Sequence, residues 1–247
     1  MRLLVYFTPL GVKNHEIAGK PVLVLDVLRA TSSIVAALAN GARSVVPTES
    51  PDEALKVAES LERGSILLAG ERGARRIEGF DLGNSPLEMT PAVVQAKTIV
   101  MATTNGTPAL RAAEFGSPVL VGAITNFSAA VERAREELHR CGEFIILCAG
   151  RERMFALEDA YTAGRFTCEL FPPRQRRAAE LSDAAIACIE LVRRYGDRWK
   201  RAIGASAAAR NLRRLGFRDD LEAATEVDRY DIVPVYSERL VTARNSI

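Results

Sequence analysis

The sequence predicts an α/β protein of three layers, with helices on both faces of a mainly parallel or mixed central sheet. Three observations carry that expectation. Short apolar runs alternate with helical stretches from the N-terminus to residue 148, the rhythm of right-handed crossovers between parallel strands. Runs such as Val22 to Leu25 are apolar at every position, as strands buried on both faces require. The runs then give way to polar residues, Asp26 being the clearest, at the sheet edge where open α/β folds place their ligands. The chain has 247 residues, 48% of them hydrophobic, and can bury a substantial core. Lacking a long linker or an internal repeat, residues 1–247 read as a single domain, with a mostly helical C-terminal third (about 155–225) packed on it.

The elements follow in order. Leu3 to Phe7 is a first strand, turned at Pro9 and Gly11, with His15 in the polar link that follows. Val22 to Leu25 leads into an Ala-rich helix from Arg29 that stops at Gly41. Ser44 to Val46 is the next strand. Ser50, Pro51 and Glu53 then open a helix as N-cap, first-turn proline and capping-box acid, running towards Arg63. Ile66 to Leu68 is a strand, after which residues 70 to 88 lose both periodicities among four glycines and read as a functional or mobile loop. A helix over about Glu88 to Lys97, a strand Thr98 to Met101 and a helix after TTNGT (residues 103 to 107) come next. Pro118 to Val121, a helix Thr125 to Leu138 and a strand Phe144 to Cys148 complete the alternation. The remainder reads as helices over Leu157 to Phe171, Ala178 to Tyr195, Ala205 to Leu215 and Asp219 to Ala224, closed by a strand Ile232 to Tyr236.

Composition narrows the chemistry. No apolar stretch is long enough for a membrane span and the N-terminus lacks a full signal-peptide core, so a cytoplasmic protein is expected. The four cysteines form no CxxC pair and are expected as buried free thiols. Two histidines cannot make a histidine-rich zinc centre, so a catalytic metal would rest on carboxylates and be Mg²⁺ or Mn²⁺. The net charge of +2 asks for no polyanion, and the arginines at 174, 176, 177, 193, 194, 198 and 201 read as a solvated helical face; no nucleic-acid partner is expected. A homodimer is left open.

The fingerprints GxGxxG, GxxxxGK[ST] and GxSxG are absent. What remains is acids and small polar groups at strand ends. Asp26, Glu71, Asp81, Glu158 and Asp159 are the candidate acids. Meeting at one rim they would repel one another unless a divalent cation joined them, which is the physical case for Mg²⁺. Glu158 and Asp159 point about 100° apart on a helix, so one can face the site while the other caps outside it. Asp26 also has a bland reading, as a cap for the next helix or a partner of Arg29. The anion-binding candidates are Thr104, Asn105 and Gly106 of TTNGT, Asn84 and Ser85 of GNSP, and the forked donors of Arg29 and Arg151. N-G and S-P are also ordinary turn dipeptides. Cys148 admits a cysteine hydrolase of α/β fold working with Asp26, against the plainer reading of a buried thiol. A non-catalytic small-anion-binding protein is a third reading.

Several blocks, LDVLRATSSIVAALANGA (25 to 42), GER (70 to 72), GFDLGNSP (79 to 86), TTNGT, and CAG followed by EDAYTAG (148 to 150, 158 to 164), resemble the 2-phosphosulfolactate phosphatase family over nearly the whole chain. The resemblance implies an α/β/α fold and Mg²⁺-dependent hydrolysis of 2-phosphosulfolactate to sulfolactate, on a route to coenzyme M. It implies site positions at Asp26, Arg29, Glu71, Asp81, Asn84, Ser85, Thr104, Asn105 and Glu158 or Asp159. On that reading Asp26 and one of Glu71, Asp81 or Asp159 hold Mg²⁺, Arg29 and the TTNGT amides hold the phosphate, and Arg151 meets a sulfonate or carboxylate of the substrate. The nucleophile stays open between water and an aspartate, and no DxD surrounds Asp26.

Overall fold

The computed structural model describes residues 1–61 and 64–243. Its strands are β1 (Arg2–Tyr6), β2 (Val22–Leu25), β3 (Ser44–Thr48), β4 (Ile66–Arg72), β5 (Arg75–Arg76), β6 (Thr98–Ala102), β7 (Val119–Gly122), β8 (Glu143–Cys148), β9 (Glu180–Leu181), β10 (Val235–Ser237) and β11 (Leu240–Thr242). The helices of the first half are α1 (Asn14–Ile17), α2 (Ala30–Ala39), α3 (Pro51–Glu59), α4 (Pro91–Val94), α5 (Gly106–Ala112) and α6 (Phe127–Cys141). Those of the second half are α7 (Leu157–Leu170), α8 (Pro173–Arg176), α9 (Asp183–Tyr195), α10 (Trp199–Gly204), α11 (Ala207–Arg214) and α12 (Arg218–Ala224).

The strands make one mixed sheet in the order β5-β4-β6-β3-β11-β10-β7-β2-β8-β1-β9, and helices on its two faces give a three-layer α/β/α architecture. Two parallel groups, β4-β6-β3 and β7-β2-β8-β1-β9, are joined by the antiparallel hairpin β10–β11. That hairpin pairs with Val119 and Leu120 at the start of β7 and with Val45 near the start of β3. The chain leaves β2 through α2 to reach β3 in the other group, and returns from β6 through α5 to β7. Such a reversal of strand order opens a crevice beyond the carboxyl ends of the strands.

Side-chain alternation sorts the core. Val22 and Val24 of β2 pack on one face with α2 and α5, while Leu23 and Leu25 pack on the other with α6 and α7. Helix α2 is buried from Ala30 to Leu38, because its Ala and Ser side chains let neighbours approach on every side.

Several boundaries differ from the expected ones for physical reasons. The expected helix Glu88 to Lys97 is the single turn α4, since Ala96 turns to a φ of 60° and donates its N–H to the Gly41 carbonyl (2.8 Å). The strand Ile66 to Leu68 continues to Arg72 and folds back through Gly73 and Ala74, both at positive φ, onto β5. The glycine-rich stretch therefore begins as a hairpin. The helix expected from Ala178 starts at Asp183, behind edge strand β9. Helix α10 and strand β11 had no counterpart in the sequence reading. Arg63, towards which α3 was expected to run, lies outside the described residues.

Candidate active site

Beyond the carboxyl ends of β2, β4, β6 and β8 lies a cavity of about 120 Å³. Asp26 sits where β2 ends. Its Oδ1 accepts the Ala30 N–H (3.3 Å), and the Thr31 hydroxyl donates to its carbonyl (2.9 Å), so it caps α2 as well as facing the cavity. The capping reading of Asp26 thus holds on a side chain that also lines the cavity, while Arg29, its other expected partner, pairs with Asp220. Gly106 lets α5 come this close: a Cβ there would overlap the Ala30 methyl and stand 2.6 Å from Asp26 Oδ2. Gly106→Ala is therefore expected to cost about 1–3 kcal/mol of stability by overpacking and to displace Asp26. Melting curves and turnover assays check this; a variant matching the parent in both would show that the approach is not needed.

Glu71 is buried and tied at both oxygens. Oε1 accepts the Thr104 N–H and Oε2 the Ala74 N–H, each at 2.7 Å, which locks the TTNGT loop to the β4–β5 hairpin. Glu158 lines the cavity from the first turn of α7, whereas Asp159 points away and caps two loops, accepting from Val27 N (2.9 Å) and Gly150 N (3.1 Å). The helical offset separates the two acids as expected. Asp81 lies outside the cavity: its carboxylate accepts the Leu68 N–H (2.8 Å) at the exposed edge of β4.

Asn84 reaches the cavity wall. Its carbonyl accepts from the Ser33 hydroxyl (2.9 Å), while its buried Oδ1 has no protein partner. Ser85 serves from behind, donating to Asp220 Oδ1 (2.7 Å). Thr104 and Asn105 line the mouth, and Asn105 Oδ1 accepts the Glu152 N–H (2.9 Å), joining the loops that follow β6 and β8. Arg151 lines the cavity with a third of its side chain exposed, its nearest carboxylate being Glu152 at 3.5 Å. His15 is exposed on α1 and takes no part in lining it.

Arg29 is the marked departure from a free phosphate clamp. Its guanidinium is buried in an ion pair with Asp220, donates to the Ala74 carbonyl (2.7 Å) and stacks over Phe217 (4.7 Å). Asp220, on α12, was missed by the sequence reading. Its Asp-Asp setting in a helical first turn looks like ordinary N-terminal charge, and the one available signal was an unmatched buried Arg29. Asn211 and Ala208 of α11 also line the cavity and were missed.

The acids feel one another. Burial, then Glu71 and Glu158, push the Asp26 carboxyl up from 3.8 to about 7, against the Ala30 N–H and Arg29. Burial raises Glu158, opposed by its own amide, the Ser206 hydroxyl and Arg151. Asp159 is raised well above the carboxylate range by burial, then by Glu158 and Asp26. Of the four free cysteines Cys148 and Cys188 are buried as expected, whereas Cys168 is half-buried and Cys141 is exposed. Cys148 belongs to the apolar cluster under α6 and α7, and burial followed by Asp159 pushes its thiol well up. It does not line the cavity, which removes the nucleophile from the cysteine-hydrolase reading.

Comparison with known proteins matches nearly the whole chain. The family model described as 2-phosphosulpholactate phosphatase matches residues 6–239. The chain is 41% identical over 225 residues to "Probable 2-phosphosulfolactate phosphatase" of Symbiobacterium thermophilum, covering 91% of this chain and 94% of that protein. It is 36% identical over 241 residues to the protein of the same name from Caldanaerobacter subterraneus subsp. tengcongensis, covering 98% of each. The same name is carried by a Clostridium novyi protein, 36% identical over 243 residues, 98% of this chain and 100% of that one. A match of this length shows that the chain belongs to the 2-phosphosulfolactate phosphatase family.

Proposed function

We propose that the protein hydrolyses the phosphate monoester of a small 2-hydroxy acid with the help of Mg²⁺, and that 2-phosphosulfolactate is its substrate. The observation that carries the reading is the charge of the cavity. Asp26, Glu71, Glu152 and Glu158 line it against Arg29 and Arg151, and Arg29 is already matched by Asp220. A phosphate dianion entering such a site would meet net repulsion unless a cation accompanied it.

The donors fit Mg²⁺, a hard ion that prefers oxygen. Among the described residues no group of three His, Cys, Asp or Glu side chains forms a ready cage. Mg²⁺ commonly takes one or two carboxylates and completes its shell with water and substrate phosphate. Asp26, Glu158 and the unpartnered Oδ1 of Asn84 would hold it, and the bound ion would offset charge on the phosphoryl oxygens. Glu71, with both oxygens taken by amides, positions the Thr104 loop. Arg151 meets the acid group of the substrate.

The test is phosphate release from 2-phosphosulfolactate and 2-phospholactate, with Mg²⁺ and with EDTA. Release that needs Mg²⁺ and favours the sulfonate is expected, and Cys148→Ala should retain it. Release undiminished by EDTA would remove the metal, equal use of both esters would remove the named substrate, and no release from either would remove the phosphatase reading. Loss of release in a folded Cys148→Ala variant would restore the cysteine nucleophile.

A further inference from the structure

We propose that Asn211 determines substrate specificity by binding, together with Arg151, the acid group of the substrate that does not carry the phosphate. The inference rests on the phosphatase reading and assigns a role to a helix outside the motifs at the strand ends.

The cavity has two unlike sides. One is the acidic floor of Asp26, Glu71 and Glu158, where a phosphate accompanied by its cation belongs. A second negative group placed there would add repulsion, so it must face elsewhere. The other side is a wall from α11. Ala208, Asn211 and Leu212 are spaced i, i+3, i+4 and share one helix face, with Leu28 beside them. Ala208, Leu212 and Leu28 are apolar and suit a short carbon skeleton. Asn211 is the polar group of that wall. Its Oδ1 accepts from Arg214 (2.9 Å), so the amide has its NH₂ donors to offer a ligand. Arg151 adds the charge. Its guanidinium makes its one ion pair with the exposed Glu152 carboxylate and acts on Glu158 across the cavity, whereas Arg29 is held by a buried carboxylate.

Helix α11 is fixed well enough to present such a donor. Ser206 caps it by accepting the Ala209 N–H (3.0 Å), and the same hydroxyl stands beside Glu158. Ala209 and Leu212 pack against Leu221 of α12. Any anion with a carboxylate or a sulfonate suits an amide donor paired with a guanidinium, so the experiment separates the two.

The experiment compares kcat and KM for 2-phosphosulfolactate, 2-phospholactate and glycerol 2-phosphate, a monoester with no acid group, in the parent, Asn211→Ala and the isosteric Asn211→Asp. The preference for the acid-bearing esters should fall about ten- to hundredfold in Asn211→Ala, through KM, as loss of a hydrogen bond to a charged group implies. It should fall further in Asn211→Asp, where a carboxylate faces the anion. Whichever ester loses more identifies the acid that is bound. An unchanged preference in both variants would overturn the inference while leaving the phosphatase reading in place. Calorimetric binding of sulfolactate and lactate in the presence of Mg²⁺ gives an answer without turnover. Acid binding that weakens in the Asn211 variants of a protein that hydrolyses no ester would keep the acid site and discard the phosphatase. Binding indifferent to Asn211, or absent from the parent, would overturn the inference.

Discussion

Asp26→Asn is expected to abolish phosphate release and to raise the melting temperature of the metal-free protein at pH 8. The two effects have one cause. Asp26 is buried among Glu71 and Glu158, and its carboxyl is raised from 3.8 to about 7. Its charged form is therefore less welcome in the folded protein than in the unfolded chain. Below pH 4 the group is protonated in both states and costs nothing. Between pH 4 and 7 the folded state binds more protons than the unfolded one, so stability falls as pH rises, and above 7 the penalty is complete. At about 1.36 kcal/mol per pH unit the upper bound is roughly 4 kcal/mol. Asn keeps the oxygen that caps Ala30 and removes the charge. A gain on the order of 2 kcal/mol, or about 4–8 °C, is expected at pH 8, shrinking to nothing near pH 4. Scanning calorimetry in EDTA from pH 4 to 8 measures it. A variant that melts lower at pH 8, or whose difference ignores pH, would sink the account. Added Mg²⁺ should lift the melting temperature of the parent more than that of Asp26→Asn, since a ligand of the folded state stabilises it by mass action.

How far the sequence foretold this site follows from where each signal was local. Asp26 was legible because a four-residue apolar run ends on it, and Glu158 and Asp159 because adjacent helical positions must diverge. Asp81 was misread because acids in a glycine-rich loop look alike in sequence. What decides its role is that Leu82 pairs with β4, which turns the Asp81 carboxylate to the Leu68 amide. Gly70 gave the same difficulty. It read as the start of a loop, yet it lies inside β4 against the Ala102 carbonyl, where a Cβ would collide. The β10–β11 hairpin escaped because Glu238 and Arg239, both at positive φ, occupy the turn where Asn-Gly would have announced it. Arg29 was read as a clamp from its position alone. Its partner is 191 residues away, beyond the reach of any local pattern.

Asp220→Ala is expected to be the most damaging change outside the cavity itself. Asp220 is buried on α12, pairs with Arg29 and accepts from the Ser85 hydroxyl, so one carboxylate ties α12 to the β2–α2 junction and to the GNSP loop. Removing it leaves the buried Arg29 guanidinium without its ion-pair partner, held by the Ala74 carbonyl and the Phe217 ring beside the Asp26 carboxyl. Breaking a buried pair from one side costs about 3–5 kcal/mol, which for a chain of this size lowers the melting temperature by on the order of 10 °C. Asp220→Asn, which keeps the shape and an acceptor, should lie between Ala and the parent. The double change Arg29→Met with Asp220→Leu separates charge from architecture. Apolar groups of similar volume replace such pairs with little loss and sometimes a gain, so the double variant should melt close to the parent and, because Arg29 is spent on Asp220 rather than on the phosphate, keep its phosphate release. If Asp220→Ala alone melted within a degree of the parent, the pair would be ornamental to the fold. If the double variant folded but lost its turnover, Arg29 would act on the substrate as well as hold up the wall.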